Sequence, residues 1–468
     1  MKKFLLICLF YPVFSFSENI DNKEIKIANS SHNITNKKTE NVDSIINSDV
    51  SNGFGGAVII VIKDGKIVKE TAYGHKKMFI EKCETNADYS IPKKCYLSDS
   101  KKSMMTIDSV FDLASLTKVY STVFALMHLM YENKLDIDKP VSYYIKDFPY
   151  TDITVRQVAE HTAGFGPEVN FYNKNDIMSN GSTVEENGFY SQDRNTTIDF
   201  LTGQNNSGNN PNNLVVPREY EPGTTNIYSD TDFMLLGLIV ENIVDMRLDK
   251  YVEETIYKPL NIGIKYNPLD NGIDHKQIVQ TAIGNWAVKC KSDKCAKYPY
   301  DNMRQTTIEG SSHDEKSFYS MGGVSGHAGI FGSAQDLAVL IKVLLNHGSY
   351  KGVTLFNQKI IDLFISPVGT DYTYGIGWRR AGSYGKNSSV MGDYASDMAY
   401  GHTGFTGMDT VIDPKHNLAI ILLTTKLQSQ QLSKPKFLSS EEYITPNYGK
   451  IISLVQKEYN WCLTALFA

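Results

Sequence analysis

Long apolar runs are scarce in this 468-residue chain, and after the first seventeen residues none is long enough to cross a bilayer. An excess of positive charge is missing too. Lysine and arginine number 47 against 52 aspartates and glutamates, a formal charge of −5. With a pI near 6.1, that leaves no electrostatic footprint for nucleic acid or for an anionic membrane surface. Cysteine is sparse at six residues, no internal repeat is visible, and nothing in the composition is collagen-like or coiled-coil. What is present is ordinary for a globular protein: 41% hydrophobic, 21% charged and 11% aromatic residues. The length allows a large core and two to three domain-sized units.

Residues 1–17 are set apart as a leader. Lys2 and Lys3 precede an apolar segment from Phe4 to Phe14, and Ser15 and Ser17 offer small residues to a signal peptidase. The reading is a cleaved secretory signal, with an uncleaved anchor as the alternative. Cys8 follows a bulky Ile7 where a lipoprotein site wants a small residue. Removal takes away two lysines and no acids, so the exported chain carries −7. The expected location is the periplasm, or the inner-membrane surface if the segment stays. The other five cysteines suit an oxidising space. Cys83/Cys95 and Cys290/Cys295 are spaced to close two small loops in polar segments, as disulfides do. A metal site is the rival reading, with no nearby histidine to favour it. Cys462 is expected as a buried free thiol in a final helix.

Residues 18–46, rich in Asn, Lys and Ser, read as a flexible linker ahead of a folded unit from 47 to 468. Ala57 to Ile62, an Asp64-Gly65 turn and Ile67 to Tyr73 form a hairpin signal. A second strand pair, Thr410 to Ile412 and Leu418 to Thr425, lies near the other end. Helical periodicity covers Leu116 to Glu132, Phe233 to Tyr257 and Ala334 to Leu345. The expected fold is α+β, an α/β sandwich with one antiparallel sheet built from both chain ends, about 55–75 and 375–468. Helices flank that sheet, and a mainly helical lobe of about 120–370 is inserted. Residues 168–195 and the Asn-rich 205–213 read as irregular, and 428–447 as a polar insertion.

Three short motifs carry chemistry. A Ser and a Lys three apart on a helix share a face, so the amine can act as base for the hydroxyl. Five Ser-x-x-Lys matches occur, at Ser90, Ser98, Ser115, Ser383 and Ser433. Only Ser115-Leu116-Thr117-Lys118 opens an apolar helical run, and that helix should bury Lys118 and lower its pKa toward a useful base. The second is Tyr228-Ser229-Asp230, in a loop before a helix, where a phenol can be aimed at a pocket. Tyr131-Glu132-Asn133 competes with it, but Tyr131 is ~24 Å along the helix from Ser115 at ~1.5 Å per residue. The third is His402-Thr403-Gly404-Phe405 before the last strand pair. There substrate backbone can lie alongside an edge strand, and the Phe405 and Ser115 N–H groups can face an oxyanion.

Together and in this order, the motifs resemble those of the serine penicillin-recognising family, whose pattern is S-x-x-K, Y-x-N and K-T-G or H-T-G. That family includes class C β-lactamases, D-alanyl-D-alanine carboxypeptidases and related esterases. His161-Thr162-Ala163-Gly164, Pro222-Gly223 and Gly326-His327-Ala328-Gly329 are similar to its auxiliary segments. The variants look closest to the penicillin-binding protein 4B group. The resemblance implies Ser115 as acylated nucleophile, Lys118 as its proton acceptor and Tyr228 as proton shuttle. It implies His402 and Thr403 as holders of a substrate carboxylate, with Gly404 beside them. The implied activity is a serine-type carboxypeptidase acting on peptidoglycan stem peptides and binding β-lactams, with no cofactor and no metal. A β-lactamase, a small-ester esterase and a catalytically weak cell-wall binding module are the alternatives. The oligomeric state is left open.

Two departures matter. Asp230 replaces the usual Asn, and if ionised beside Lys118 it would hold that lysine protonated; it could instead be neutral or turned away. His402 replaces the more usual Lys, so carboxylate binding is expected to fade above neutrality. Gly323 to His327 superficially matches a nucleophile elbow around Ser325, but His327 stands where a glycine is required. His313-Asp314-Glu315 reads as a polar loop at the pocket rim rather than a metal site.

Overall fold

The computed structural model describes residues 40–460 apart from 85, 87–90, 178–183, 286–287, 292–293, 298–299, 370, 383–387 and 429–446. The elements that position the site are, in chain order, α1 (Glu40–Ser51), β1 (Gly56–Lys63), β2 (Lys66–Lys77), β3 (Ser103–Met104) and β4 (Phe111–Asp112). A π-helical turn, Lys118–Val123, runs on as α2 (Phe124–Tyr131), followed later by α3 (Asp230–Val244). Then come β5 (Ile330–Gly332), α4 (Ala334–Leu345), β6 (Arg379–Arg380), β7 (Tyr400–Gly404), β8 (Met408–Asp413), β9 (Leu418–Thr424) and α5 (Tyr448–Asn460).

Alternation along β1 explains why it reads as one unbroken apolar run. Val58, Ile60 and Ile62 enter the large core shared with the helical lobe, while Ala57, Ile59 and Val61 enter a second core on the opposite face. A strand covered on both sides has no polar face to show. It pairs antiparallel with β9, from Ala57 opposite Thr424 to Lys63 opposite Leu418, so the two chain ends meet in mid-sheet. The seven strands run β6-β7-β8-β9-β1-β2-β3. α4 packs on β1 and β9 from the lobe side, and α1 and α5 cover the other face. The expected mixed α and β architecture, with one antiparallel sheet flanked by helices, is what forms. No helix of the described residues is long and apolar enough to cross a membrane.

Two expectations about elements are corrected. The segment read as linker up to residue 46 contains α1, whose Val42 and Ile46 are wholly buried among strand and α5 side chains. The four apolar residues of this helix, Val42, Ile45, Ile46 and Val50, recur at helical spacing, but an Asn- and Ser-rich background obscures them. The run from Phe233 to Tyr257 is also not one helix. α3 begins earlier, at Asp230, and stops where Asp245 turns left-handed at φ 50°. A short helix Leu248–Val252 and a π-helical turn Glu253–Tyr257 follow.

The Asn-rich loop is irregular as read, yet built: the buried Asn210 amide donates to the carbonyls of Gln204 and Leu214. Residues 168–195 hold a small hairpin, Asn175–Ile177 with Val184–Glu186. Cys83 and Cys95 are disulfide-bonded. Cys290 and Cys295 stand opposite each other in a second hairpin, but their side chains lie outside the described residues. So do the leader, Cys462 and nearly all of the 428–447 insertion.

Because Ile46 is a core residue, Ile46→Ala should cost about 2–4 kcal/mol in urea unfolding. A change within about 0.5 kcal/mol would return this segment to a solvated surface.

Candidate active site

The turn that carries Ser115 is held by one buried carboxylate. β4 pairs with β5 (Phe331 opposite Asp112), and the Leu113 N–H donates to the Ile330 carbonyl at 3.0 Å. Ala114 then takes φ 45°, a left-handed conformation that costs an L-residue roughly 1–2 kcal/mol. It is kept there by its N–H bond to Asp112 Oδ1 at 3.0 Å. Asp112 Oδ2 accepts the His313 N–H at 2.7 Å, and the Asp112 carbonyl accepts the Thr406 hydroxyl at 2.8 Å. Asp112 thereby ties the Ser115 turn to the 313–316 loop and to the segment after β7. Burial raises its carboxyl to about 6 against the pull of these backbone bonds.

Lys118 opens the π-helical turn, a distortion that recurs at functional sites. Its ammonium has no solvent exposure and donates to Ser115 Oγ at 3.1 Å, Asp230 Oδ1 at 2.7 Å and the His327 carbonyl at 3.3 Å. The expected burial is there, but the expected lowering of its pKa is not. Burial pushes the ammonium down, while Asp230 and Tyr228 outweigh it, and the net shift is upward. Asp230 is neither neutral nor turned away. Burial favours its neutral form, but Lys118 and Lys316 overcome that and hold the carboxyl well below the usual range.

The second ammonium was not anticipated from sequence. Lys316 Nζ lies 3.1 Å from Asp230 Oδ2, 2.9 Å from Glu168 Oε2 and 3.6 Å from Asp314 Oδ2. Asp314 Oδ1 is 2.8 Å from His327 Nε2, and His327 Nδ1 is 2.8 Å from Ser325 Oγ. This accounts for two of the sequence clusters. Ser325 is 1% exposed and backs a histidine, which removes it as a nucleophile. Asp314 belongs to the ion network, while His313 and Glu315 line the cavity as a rim loop would. Donor atoms of Asp230, Asp314 and His327 fall within 4.8 Å of one another, but ammonium groups already neutralise both carboxylates.

Tyr228 precedes Ser229, the cap of α3, whose hydroxyl donates to the Gly166 carbonyl at 2.7 Å. Its ring is boxed in by Lys118 Nζ at 4.7 Å, the His161 ring at 4.8 Å, the Arg379 guanidinium at 5.2 Å and the His402 ring at 5.9 Å. Tyr131 sits at the end of α2, 41% exposed, and does not line the cavity.

On β7, His402, Thr403 and Gly404 stand opposite Thr410, Asp409 and Met408. A Cβ on Gly404 would lie 2.7 Å from the Leu113 carbonyl, so glycine lets this strand close on the nucleophile turn. Phe405 follows, 46% exposed, with its ring 5.7 Å from that of His313. Among the described residues the N–H groups of Ser115 and Phe405 have no hydrogen-bond acceptor.

His402 does not behave as expected. Burial, helped by Lys118 and Arg379, drives its pKa down to about 3, so it is neutral near pH 7. The cation at this end of the site is Arg379 on the edge strand β6, opposite Gly401. Nothing in the Trp378-Arg379-Arg380 run marks it, because a two-residue strand carries no periodic signal. A cavity of about 480 Å³ joins these groups, lined by Ser115, Tyr228, Asp230, Arg379, His402, Thr403 and Phe405 together with Glu168, Asn170 and Tyr172.

Gly404→Ala should therefore push β7 off the Ser115 turn. The expected result is a loss in kcat/KM of about 100-fold, the scale of a 1 Å misplacement, in a folded protein. Unchanged turnover would show that the close approach is not needed.

Comparison with known proteins follows the same lines. The beta-lactamase family pattern matches residues 42–438. The chain is 39% identical over 469 residues to the N-acetylmuramyl-L-alanine amidase of Bacillus subtilis (strain 168), covering 96% of each. It is 35% identical over 444 residues to a Salmonella agona (strain SL483) protein named as a D-alanyl-D-alanine carboxypeptidase, covering 92% of this chain and 90% of that one. Its fold resembles that of the octameric penicillin-binding protein homologue from Pyrococcus abyssi, with a TM-score of 0.55 at 18% identity over 91% of this chain and 77% of that one. With its motif residues gathered round one cavity and residues 42–438 matched by the family pattern, the chain belongs to the beta-lactamase family.

Proposed function

We propose that the protein is an exported serine hydrolase of the periplasm that removes terminal D-alanine from peptidoglycan stem peptides and is acylated by β-lactams. The observation that carries this reading is the 3.1 Å contact between Ser115 Oγ and Lys118 Nζ, in a cavity that also holds Tyr228 and Arg379. Ser115 Oγ attacks the carbonyl carbon of the penultimate residue, and its proton passes to the Lys118–Tyr228 pair. The resting ammonium must first lose a proton, which puts an acid limb on acylation. The Ser115 and Phe405 N–H groups take the developing oxyanion. The C–N bond breaks as the leaving amine is protonated by way of Tyr228, and water then attacks the serine ester and releases the shortened peptide. Arg379 and Thr403 hold the terminal carboxylate, and His402 supplies a neutral ring packed on Tyr228.

A second reading is an amidase that separates a muramyl sugar from its peptide. It is favoured by the B. subtilis relative and by the polar side chains of Glu168, Asn170 and Tyr172 on the cavity wall. One incubation distinguishes the two. A muramyl pentapeptide should lose a single alanine by mass spectrometry, and Ser115→Ala should abolish the loss. Release of the intact peptide from the sugar would replace the carboxypeptidase with the amidase. A fluorescent penicillin should leave a stable label that is absent in Ser115→Ala. Rapid turnover of the drug would make the protein a β-lactamase, and no label with no hydrolysis a binding module.

The neutral state of His402 has its own consequence. In a Glu315→Gln background, which removes the cavity carboxyl that burial raises to about 7, KM for a carboxylate-terminated peptide should stay flat from about pH 6 to 8, since a histidine titrating near 3 does not change charge there. Arg379→Gln should raise KM by at least about tenfold, the scale of a lost charged hydrogen bond. A KM that climbs through pH 6.5 even without the Glu315 carboxyl would restore a protonated His402 as the anchor.

A further inference from the structure

An isolated carboxylate 2.7 Å from Lys118 Nζ would lock that lysine as an ammonium, and a locked ammonium takes no proton from Ser115. Asp230 is not isolated with Lys118. Its second oxygen lies 3.1 Å from Lys316 Nζ, so one carboxylate is divided between two cations. Lys316 is brought there by the π-helical turn Lys316–Ser320, with its side chain 5% exposed. It is anchored from the far side by Glu168 and by Asp314, which His327 holds in turn. The side chain is built in, and its position follows from three carboxylate partners rather than from chance at a surface.

We propose that Lys316 is a positioning residue for proton transfer: by sharing Asp230 it weakens that carboxylate's grip on Lys118 and so lets Lys118 serve as base for Ser115. This rests on the acyl-serine reading above. The surrounding charges leave the balance to these groups. Lys118 faces Asp230 and Tyr228, and more remotely His161, Asp232 and His402. Burial keeps both histidines neutral and pushes Asp232 toward its neutral form. Lys316 faces Asp314, Glu168, Asp230 and Tyr172, with Glu315 nearby, whose carboxyl burial raises to about 7. Arg379 stands beyond Tyr228. Near neutral pH the local contest is thus two ammonium groups against Asp230, Glu168 and Asp314, with Glu315 partly ionised beside them.

The test is the pH dependence of Ser115 labelling by a fluorescent fluorophosphonate, which reads nucleophile activation whatever the natural substrate. Lys316→Met should move the midpoint of the acid limb upward by about one pH unit or more, because Asp230 then acts on Lys118 alone. Lys316→Arg should keep it near the wild-type position. Asp230→Asn should move it downward, and in that background Lys316→Met should add a markedly smaller shift. The double variant removes one charge of each sign, so it guards against misfolding of the single one. Glu168→Gln offers a further check: it frees Lys316 to draw closer to Asp230 and should lower the midpoint. An unmoved midpoint in Lys316→Met, or an equal shift with and without Asp230, would overturn the proposal. Labelling that survives Ser115→Ala would instead overturn the acyl-serine reading itself.

Discussion

Burying a lysine ammonium with no solvent contact is costly unless charge and hydrogen bonds replace the lost water, and Lys118 is buried in this way beside Ser115. The Asp230 carboxylate, the Ser115 hydroxyl and the His327 carbonyl meet that need from three different parts of the chain. Each fixes something else. Asp230 lies in the first turn of α3, where helix polarity favours an anion, and so sets Tyr228 two residues earlier. His327 is anchored through Asp314, which reaches back to Lys316 and hence to Asp230 again. Removing Asp230 would leave the Lys118 charge uncompensated in a buried position, so the network constrains the packing of the lobe around it.

The sheet supplies the other half of the geometry. Pairing of β1 with β9 joins the two chain ends, and β7 lies two strands beyond β9 on the same side. The strand that carries His402 and Thr403 thus hangs beside the turn that carries Ser115, although 287 positions separate the serine from the histidine. Asp112 makes that adjacency specific. It hydrogen-bonds the Ser115 turn, the 313–316 loop and Thr406, while Gly404 removes the one side chain that would hold the strands apart.

What could be read from sequence follows from this division. The hairpins, α4 and the three motifs are local patterns of two- or three-residue period, and they stand where the pattern puts them. The charge balance of the site is not local. Lys316 and Arg379 lie in segments with no periodic signal, and their roles depend on which carboxylate or ring the fold places beside them. The protonation of Lys118 and His402 was misjudged for the same reason. Burial is legible in an apolar run, but the neighbours that oppose or reinforce it are not. α1 is hidden in the sequence because four apolar residues among asparagines and serines make a stripe only once a partner surface exists to cover it.

Both departures from the family pattern lower the positive charge of the motif positions. Where the pattern has an uncharged Asn and a cationic Lys, this chain has an anionic Asp230 and a neutral His402, each less positive by one charge. Two cations outside the motifs, Lys316 against Asp230 and Arg379 beside the Tyr228 ring, bring positive charge to the site from the 313–316 loop and from an edge strand. A buried site tolerates such a shift because ion pairing there is set by the sum of near charges, not by the identity of any single motif position.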